Sequence, residues 1–360
     1  MSFNPADPLG AAFQGAVAAA LADGLDDQAA LLAEAAGRLG LLWDEARRLV
    51  AKGKRLRPAF CYWGCVATAG QPADPGPLLA VAASFDLLHA GALVHDDIID
   101  RSDTRRGEPA AHRRFAAFHR RQGWAGDSDR FGHDAAIVFG DLLLAVAAGL
   151  AERSGVPAVR LGQARPYLDA ARAEVMAGQY LDLAAQAQGA GSGRAEAELV
   201  TELKTARYTV SRPVQTGAAI GGASPGVLAG LGRFGSQLGQ AFQLVDDLLG
   251  VFGDPAVTGK PAGDDLREGK RTVLVATALE RAAPAAASRL ASLLGRPSLT
   301  AAEIDDAKSV LVDSGAAAAV RQTAQAAAAA ALETLDGLDL TAPGRTALAA
   351  LAAAAVCREA

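Results

Sequence analysis

The sequence is poor in cysteine, poor in aromatic side chains and without a block of charge of one sign. Three cysteines, Cys61, Cys65 and Cys357, in 360 residues exclude a disulfide-stapled scaffold. No CxxC pair occurs. Cys61 and Cys65 stand one helical turn apart and read as buried thiols in a reducing compartment. A formal net charge of -5 argues against broad nucleic-acid binding, so any basic group that meets an anion must act locally. The opening residues MSFNPADPLGAAF have no basic stretch followed by an apolar core, so no secretory leader is expected and a cytoplasmic setting is. Apolar stretches are interrupted by Asp, Glu, Arg or Gly, which predicts no membrane span. No segment alternates with the period of a strand.

What is present is alanine, the best helix former, in a chain that is 51% hydrophobic and long enough to bury a large core. The periodicity predicts an all-α fold, a single large helical bundle spanning 1–360 as one domain. Helices are expected at 9–22 and 27–52, broken near Asp23-Gly24, then from Pro58 to about Gly70 and over 78–99. Residues 101–133 read as a polar, irregular excursion. Further helices are expected at 134–153, 157–188, 195–221, 226–252, 271–293, 301–314, 316–335 and 342–357. Residues 189–194 and 253–265 read as loops, the second rich in glycine, lysine and acid.

The chemistry-bearing residues lie at helix ends. Asp96, Asp97 and Asp100 close the 78–99 helix, and Asp96 and Asp100 share a face one turn apart. Two carboxylates so placed repel unless a cation lies between them, and oxygen donors suit a hard ion such as Mg²⁺. An acidic C-terminus also opposes the helix dipole, so something must compensate. Arg105 and Arg106 follow, as forked anion clamps. A second acidic pair, Asp246 and Asp247, closes another apolar helix. Cations recur at Lys54, Arg55 and Arg57, at Lys204 within a helix, and at Lys260 and Lys270 in the glycine-rich loop. Taken singly, each has an ordinary reading as a solvated helix end or loop.

Taken in order, GKRLRP, His89, DDIID, DTRRG, GQYLD, KT, FQLVDD and GKPAGDDLREGKRT form a set that resembles the trans-isoprenyl diphosphate synthases, or polyprenyl synthetases. The likeness runs by motif from Gly53 to Thr272. It implies a helical bundle with a central apolar cavity. It also implies Mg²⁺, three ions per site, held by Asp96, Asp100 and Asp246 with Asp97 and Asp247 in support. Arg105, Lys204 and Lys260 would grip the allylic diphosphate, with Gln243 beside it. Lys54, Arg57, His89 and Arg106 would take isopentenyl diphosphate. Gln179 and Thr205 would lie near the reacting carbons, with Asp182 as a supporting acid. A homodimer is implied as well. One departure is plain: Gly250 stands where many relatives carry a third aspartate.

In such enzymes the residues just before the first acidic motif help set product length. Gly91 and Ala92 are small here, and Leu88 and Phe85 lie deeper on the same helix as a floor. Geranylgeranyl diphosphate is the expected product, with geranylfarnesyl or longer chains next. A class I terpene cyclase would share the acidic motif but would not need Lys54, Arg57 and Arg106. A non-catalytic synthase subunit would be expected to lose acidic ligands, most of which this chain keeps.

Overall fold

Alanine-rich segments with a helical period pack side by side because their small side chains let backbones approach closely. The computed structural model describes residues 2–188, 193–253, 263–296 and 298–356. The chain enters as α1 (Ala11–Leu31), a short 3₁₀ turn at Ala33–Ala35 and α2 (Ala36–Ala51). The expected break at Asp23-Gly24 does not occur. Gly24 is a packing position, since a Cβ there would press on Leu150 at 2.8 Å. The helix ends instead near Leu32.

The centre is made by α3 (Leu56–Ala69), α4 (Gly76–Ile99), α6 (Ser128–Glu152), α7 (Ala158–Gln188), α9 (Arg212–Gly221) and α10 (Pro225–Phe252). Helix α4 lies along α6, α3 along α9, and α7 along α9, while α16 (Ala342–Val356) covers α3. Phe60, Tyr62, Trp63, Phe85, Phe139 and Phe234 fill the main core. A second apolar cluster gathers α12 (Val273–Arg281), α13 (Pro284–Leu293), α14 (Ala301–Asp313) and α15 (Ala316–Asp336) near the end of α10. Helix starts are capped where the sequence supplies an oxygen. Asp127 accepts from two amides of α6, Ser224 from α10, and Thr300 with Glu303 forms a capping box on α14.

Three further differences from expectation have local causes. Residues 101–133 are not wholly irregular. They contain a hairpin of two short strands, Thr104–Arg105 and Glu108–Pro109, and a helix α5 (Ala111–Arg121). Arg106 and Gly107 both have positive φ, 55° and 76°, as the tight primed hairpin turn requires. The 271–293 segment is split at Pro284, which starts a new helix. The 195–221 segment is α8 (Arg194–Val200), a π-helical stretch over Thr201–Ser211, and then α9. The π stretch is held between Gly178 of α7, where a Cβ would strike the backbone of Lys204, and Gly235 and Gly239 of α10.

Two helices, α4 and α6, are long and apolar enough to cross a membrane by length and composition, where none was expected. They pack on each other in the bundle, and 67% of the apolar window of α4 is buried. Cys61 and Cys65 are buried free thiols, their pKa raised by burial, while Cys357 lies outside the described residues.

Candidate active site

Helix α4 brings its acidic end into the middle of the molecule beside the π stretch and α7. Lys204, carried inward by the π stretch, sets Nζ 2.6 Å from Asp182 and 3.5 Å from Asp96. Gln179 donates to Asp96 at 3.1 Å. Burial works against charge on Asp96, yet Lys204, Lys270 and Arg105 outweigh it and hold the carboxyl below its usual pKa. Asp100 goes the other way. Burial and then the charge of Asp96 push it up to about 6, against the pull of Lys270. Asp97 is turned from this face and is buried, accepting from Nε of Arg105 at 2.8 Å. Asp97 thus aims the arginine.

Lys270, which the sequence offers only as one lysine of a candidate lid over phosphates, is a bridge between acids. Its Nζ lies 2.5 Å from Glu268, 3.5 Å from Asp100 and 3.7 Å from Asp265. It bridges the acidic end of α4 and α11 (Asp264–Glu268), a short helix after α10. Burial opposes its charge, but Asp265, Glu268 and Asp100 raise its pKa well above the ordinary value. On α10, Gln243 donates to Asp247 at 2.7 Å. Asp247 is buried, and burial pushes it up to about 8, with Gln243 opposing and Asp265 and Asp246 adding. Lys260 lies outside the described residues.

Beside the acids opens a pocket of about 390 Å³. Lys54, Arg57, His89, Arg105 and Arg106 line it together with Thr205, Gln243 and Asp246, and Leu93 and Phe242 add apolar lining. Arg55, between the two motif cations, is buried with φ 55° and donates to Asp86 at 2.7 Å. That ion pair ties the loop before α3 to α4, one turn from His89. Arg106 is placed by the hairpin turn and donates to the carbonyl of Lys52. Arg57 donates to Thr209 at 2.9 Å and lies over the ring of Tyr208, while its Nε is buried without an acceptor. His89 is kept neutral. Burial, then Arg57, Arg106 and Arg105, lower its pKa well below the usual value.

The donor set fits Mg²⁺ of the kind that shares its shell with phosphate. Among the described residues no three acids, histidines or cysteines converge closely enough to hold an ion by themselves. Mg²⁺ ordinarily uses one or two carboxylates and takes its other ligands from water and substrate phosphates. Asp96 and Asp100 offer such a pair: burial and then the charge of Asp96 make Asp100 resist ionisation, and Lys204 and Lys270 are the cations beside them.

Of the chain-length candidates, Phe85 and Leu88 are buried on α4. Ala92 is partly exposed. Gly91 faces α6, where a Cβ would meet Leu144 at 2.9 Å and the carbonyl of Gly140 at 3.0 Å.

A sequence model of the polyprenyl synthetases matches residues 41–311. A short chain isoprenyl diphosphate synthase of Methanothermobacter thermautotrophicus is 34% identical over 69% of this chain and 69% of its own length. A geranylgeranyl diphosphate synthase of Mycobacterium tuberculosis is 33% identical over 76% of this chain and 72% of its own. The crystal structure of a geranylgeranyl pyrophosphate synthase from Corynebacterium glutamicum, complexed with isoprenyl diphosphate and magnesium, superposes with a TM-score of 0.92. It is 38% identical and covers 96% of this chain and 99% of that one. Helical fold, ordered motifs and relatives agree: the chain belongs to the polyprenyl synthetase family and is a trans-prenyltransferase.

Proposed function

We propose that the cationic pocket takes isopentenyl diphosphate and the acidic face takes the allylic diphosphate. The carrying observation is that Arg105, Thr205 and Asp246 border the same pocket as Lys54, Arg57 and Arg106, so the two sites meet at one seam. Lys54, Arg57 and Arg106 bind the isopentenyl diphosphate group, and neutral His89 contributes a hydrogen bond. Arg105, Lys204 and Lys260 grip the allylic diphosphate. Mg²⁺, three ions in this reading, would be held by Asp96, Asp100 and Asp246 and would neutralise charge growing on the leaving diphosphate.

The protein's part in the chemistry is orientation, charge balance and exclusion of water. Lys204 and Arg105 stabilise the diphosphate oxygens as the allylic C–O bond breaks. Leu93 and Phe242 keep water from the carbocation, and the hydroxyl of Thr205 and the amide of Gln179 stand near it. The isopentenyl double bond attacks that carbon, and the proton lost in closing the new alkene goes to the departing diphosphate. No side-chain base is required.

The product assigned is geranylgeranyl diphosphate, with longer chains the second reading. Support comes from small Ala92 above buried Leu88 and Phe85, and from the Corynebacterium glutamicum enzyme. We read the chain as one domain in a cytoplasmic homodimer. Exposed Ile137 and Val138 on α6 supply an apolar face for the second copy. The test is purified protein with Mg²⁺, isopentenyl diphosphate and an allylic primer, followed by chromatography of dephosphorylated products. Chain extension to the geranylgeranyl level is expected. Hydrocarbon without extension would mean a cyclase, and silence a non-catalytic subunit.

A further inference from the structure

Tyr208 belongs to none of the motifs that mark the site, yet it touches two of the groups assigned to isopentenyl diphosphate. It is buried at 3% exposure in the π-helical stretch, one turn beyond Lys204. Its hydroxyl oxygen is 2.7 Å from Nδ1 of His89. Its ring lies under the Arg57 guanidinium, whose carbon is 4.4 Å from the ring centroid. The neighbouring Thr209 accepts from Arg57 at 2.9 Å.

We propose that Tyr208 is a positioning residue for isopentenyl diphosphate: its hydroxyl fixes His89 as the Nε2–H tautomer, and its ring supports Arg57. The inference rests on the reading of Arg57 and His89 as part of that subsite.

Among the described residues the Tyr208 hydroxyl has no partner other than His89. A buried hydroxyl proton left without an acceptor is costly, so it is donated to Nδ1, which must then carry no proton. Burial and the nearby arginines keep the imidazole uncharged, so its single proton sits on Nε2. That nitrogen is across the ring from Tyr208, and His89 borders the pocket. With Nδ1 occupied by Tyr208, Nε2–H is the donor that His89 has left to offer a diphosphate oxygen in the pocket. The opposite tautomer would present a lone pair to the anion and leave the tyrosine proton without an acceptor. The tautomer is assigned from this arrangement.

Burial also raises the Tyr208 pKa, so the phenol keeps the proton it gives. The guanidinium is held from two sides by adjacent residues. Its planar face rests on the ring and one nitrogen is tied to Thr209. Because Lys204 and Thr205 project from the same stretch, one piece of π helix orients groups of both subsites.

The test pairs spectroscopy with kinetics. The chain has five histidines, so long-range ¹H–¹⁵N spectra of histidine-labelled protein, assigned with His89→Gln, report the tautomer directly. The wild-type protein should show Nε2–H, and Tyr208→Phe should shift His89 towards Nδ1–H. That variant keeps the ring. It should raise the KM for isopentenyl diphosphate about tenfold, the worth of one hydrogen bond, and move the allylic KM by less than about twofold. On a His89→Ala background the same change should cost less than about twofold, because its partner is gone. An Nδ1–H tautomer in the wild-type protein overturns the proposal. So does an unchanged isopentenyl KM in Tyr208→Phe when His89→Ala raises it. If His89→Ala and Arg57→Ala both leave that KM unchanged, the subsite reading itself fails.

Discussion

The carboxylate of Asp265 stands where a side chain on Gly250 would have to go. The acid missing from the end of α10 is thus matched by one from α11, tied to Lys270 at 3.7 Å. Restoring aspartate at position 250 should therefore not help. Gly250→Asp is expected to displace Asp265, add a like charge and lower turnover about tenfold, with a fall in melting temperature. Steady-state rates and calorimetry check this. A variant faster than the parent would show that Gly250 is a real loss.

Asp96→Ala should reduce kcat by about a hundredfold or more, since metal-assisted charge neutralisation is worth several kcal/mol. Some stability should go with it, because Lys204, Lys270 and Arg105 hold Asp96 below its usual pKa and lose a carboxylate partner, so the rates are compared at a temperature where the variant is folded. Near-normal turnover would remove Asp96 from the metal site.

Arg57→Ala and Lys204→Ala should separate the substrates. Loss of a charged hydrogen bond to phosphate costs about 2 kcal/mol, or roughly thirtyfold. Arg57→Ala should raise the isopentenyl KM by that factor and Lys204→Ala the allylic one. The reverse pattern would exchange the two sites.

Ala92→Phe should shorten the main product towards farnesyl diphosphate, because the ring fills volume needed by the next isoprene unit. Gly91 is a different case. Its Cβ would press on Leu144 and Gly140, so Gly91→Ala should lower stability by about 1–3 kcal/mol without resetting chain length. Product chromatography and thermal denaturation distinguish the two. An active Ala92→Phe enzyme with an unchanged profile would move the tail elsewhere.

The helical fold was legible because alanine-rich periodicity and end signals agree along most of the chain. The acidic and basic motifs were legible because each has a fixed internal spacing. What escaped is non-local or conformational. The hairpin of Arg105 and Arg106 needs positive φ at a non-glycine residue, which sequence seldom signals. The π stretch depends on glycines of α7 and α10, far along the chain in both directions. Tyr208 belongs to no motif, and only the fold sets it beside His89, 119 residues away. Lys270 was visible in GKRT, but its part as a bridge between acids requires Asp100 to lie opposite.

In the proposed division one diphosphate site is built from cations and the other from acids. Isothermal titration of isopentenyl diphosphate and of an unreactive allylic thiolodiphosphate, each with Mg²⁺ and with chelator, tests it most directly. Isopentenyl diphosphate should bind with a Kd that changes less than about threefold on chelation, because Lys54, Arg57 and Arg106 suffice. The allylic analogue should lose about a hundredfold or more, because Asp96 and Asp100 repel a bare anion. Equal dependence of both ligands on Mg²⁺, or of neither, would contradict the account.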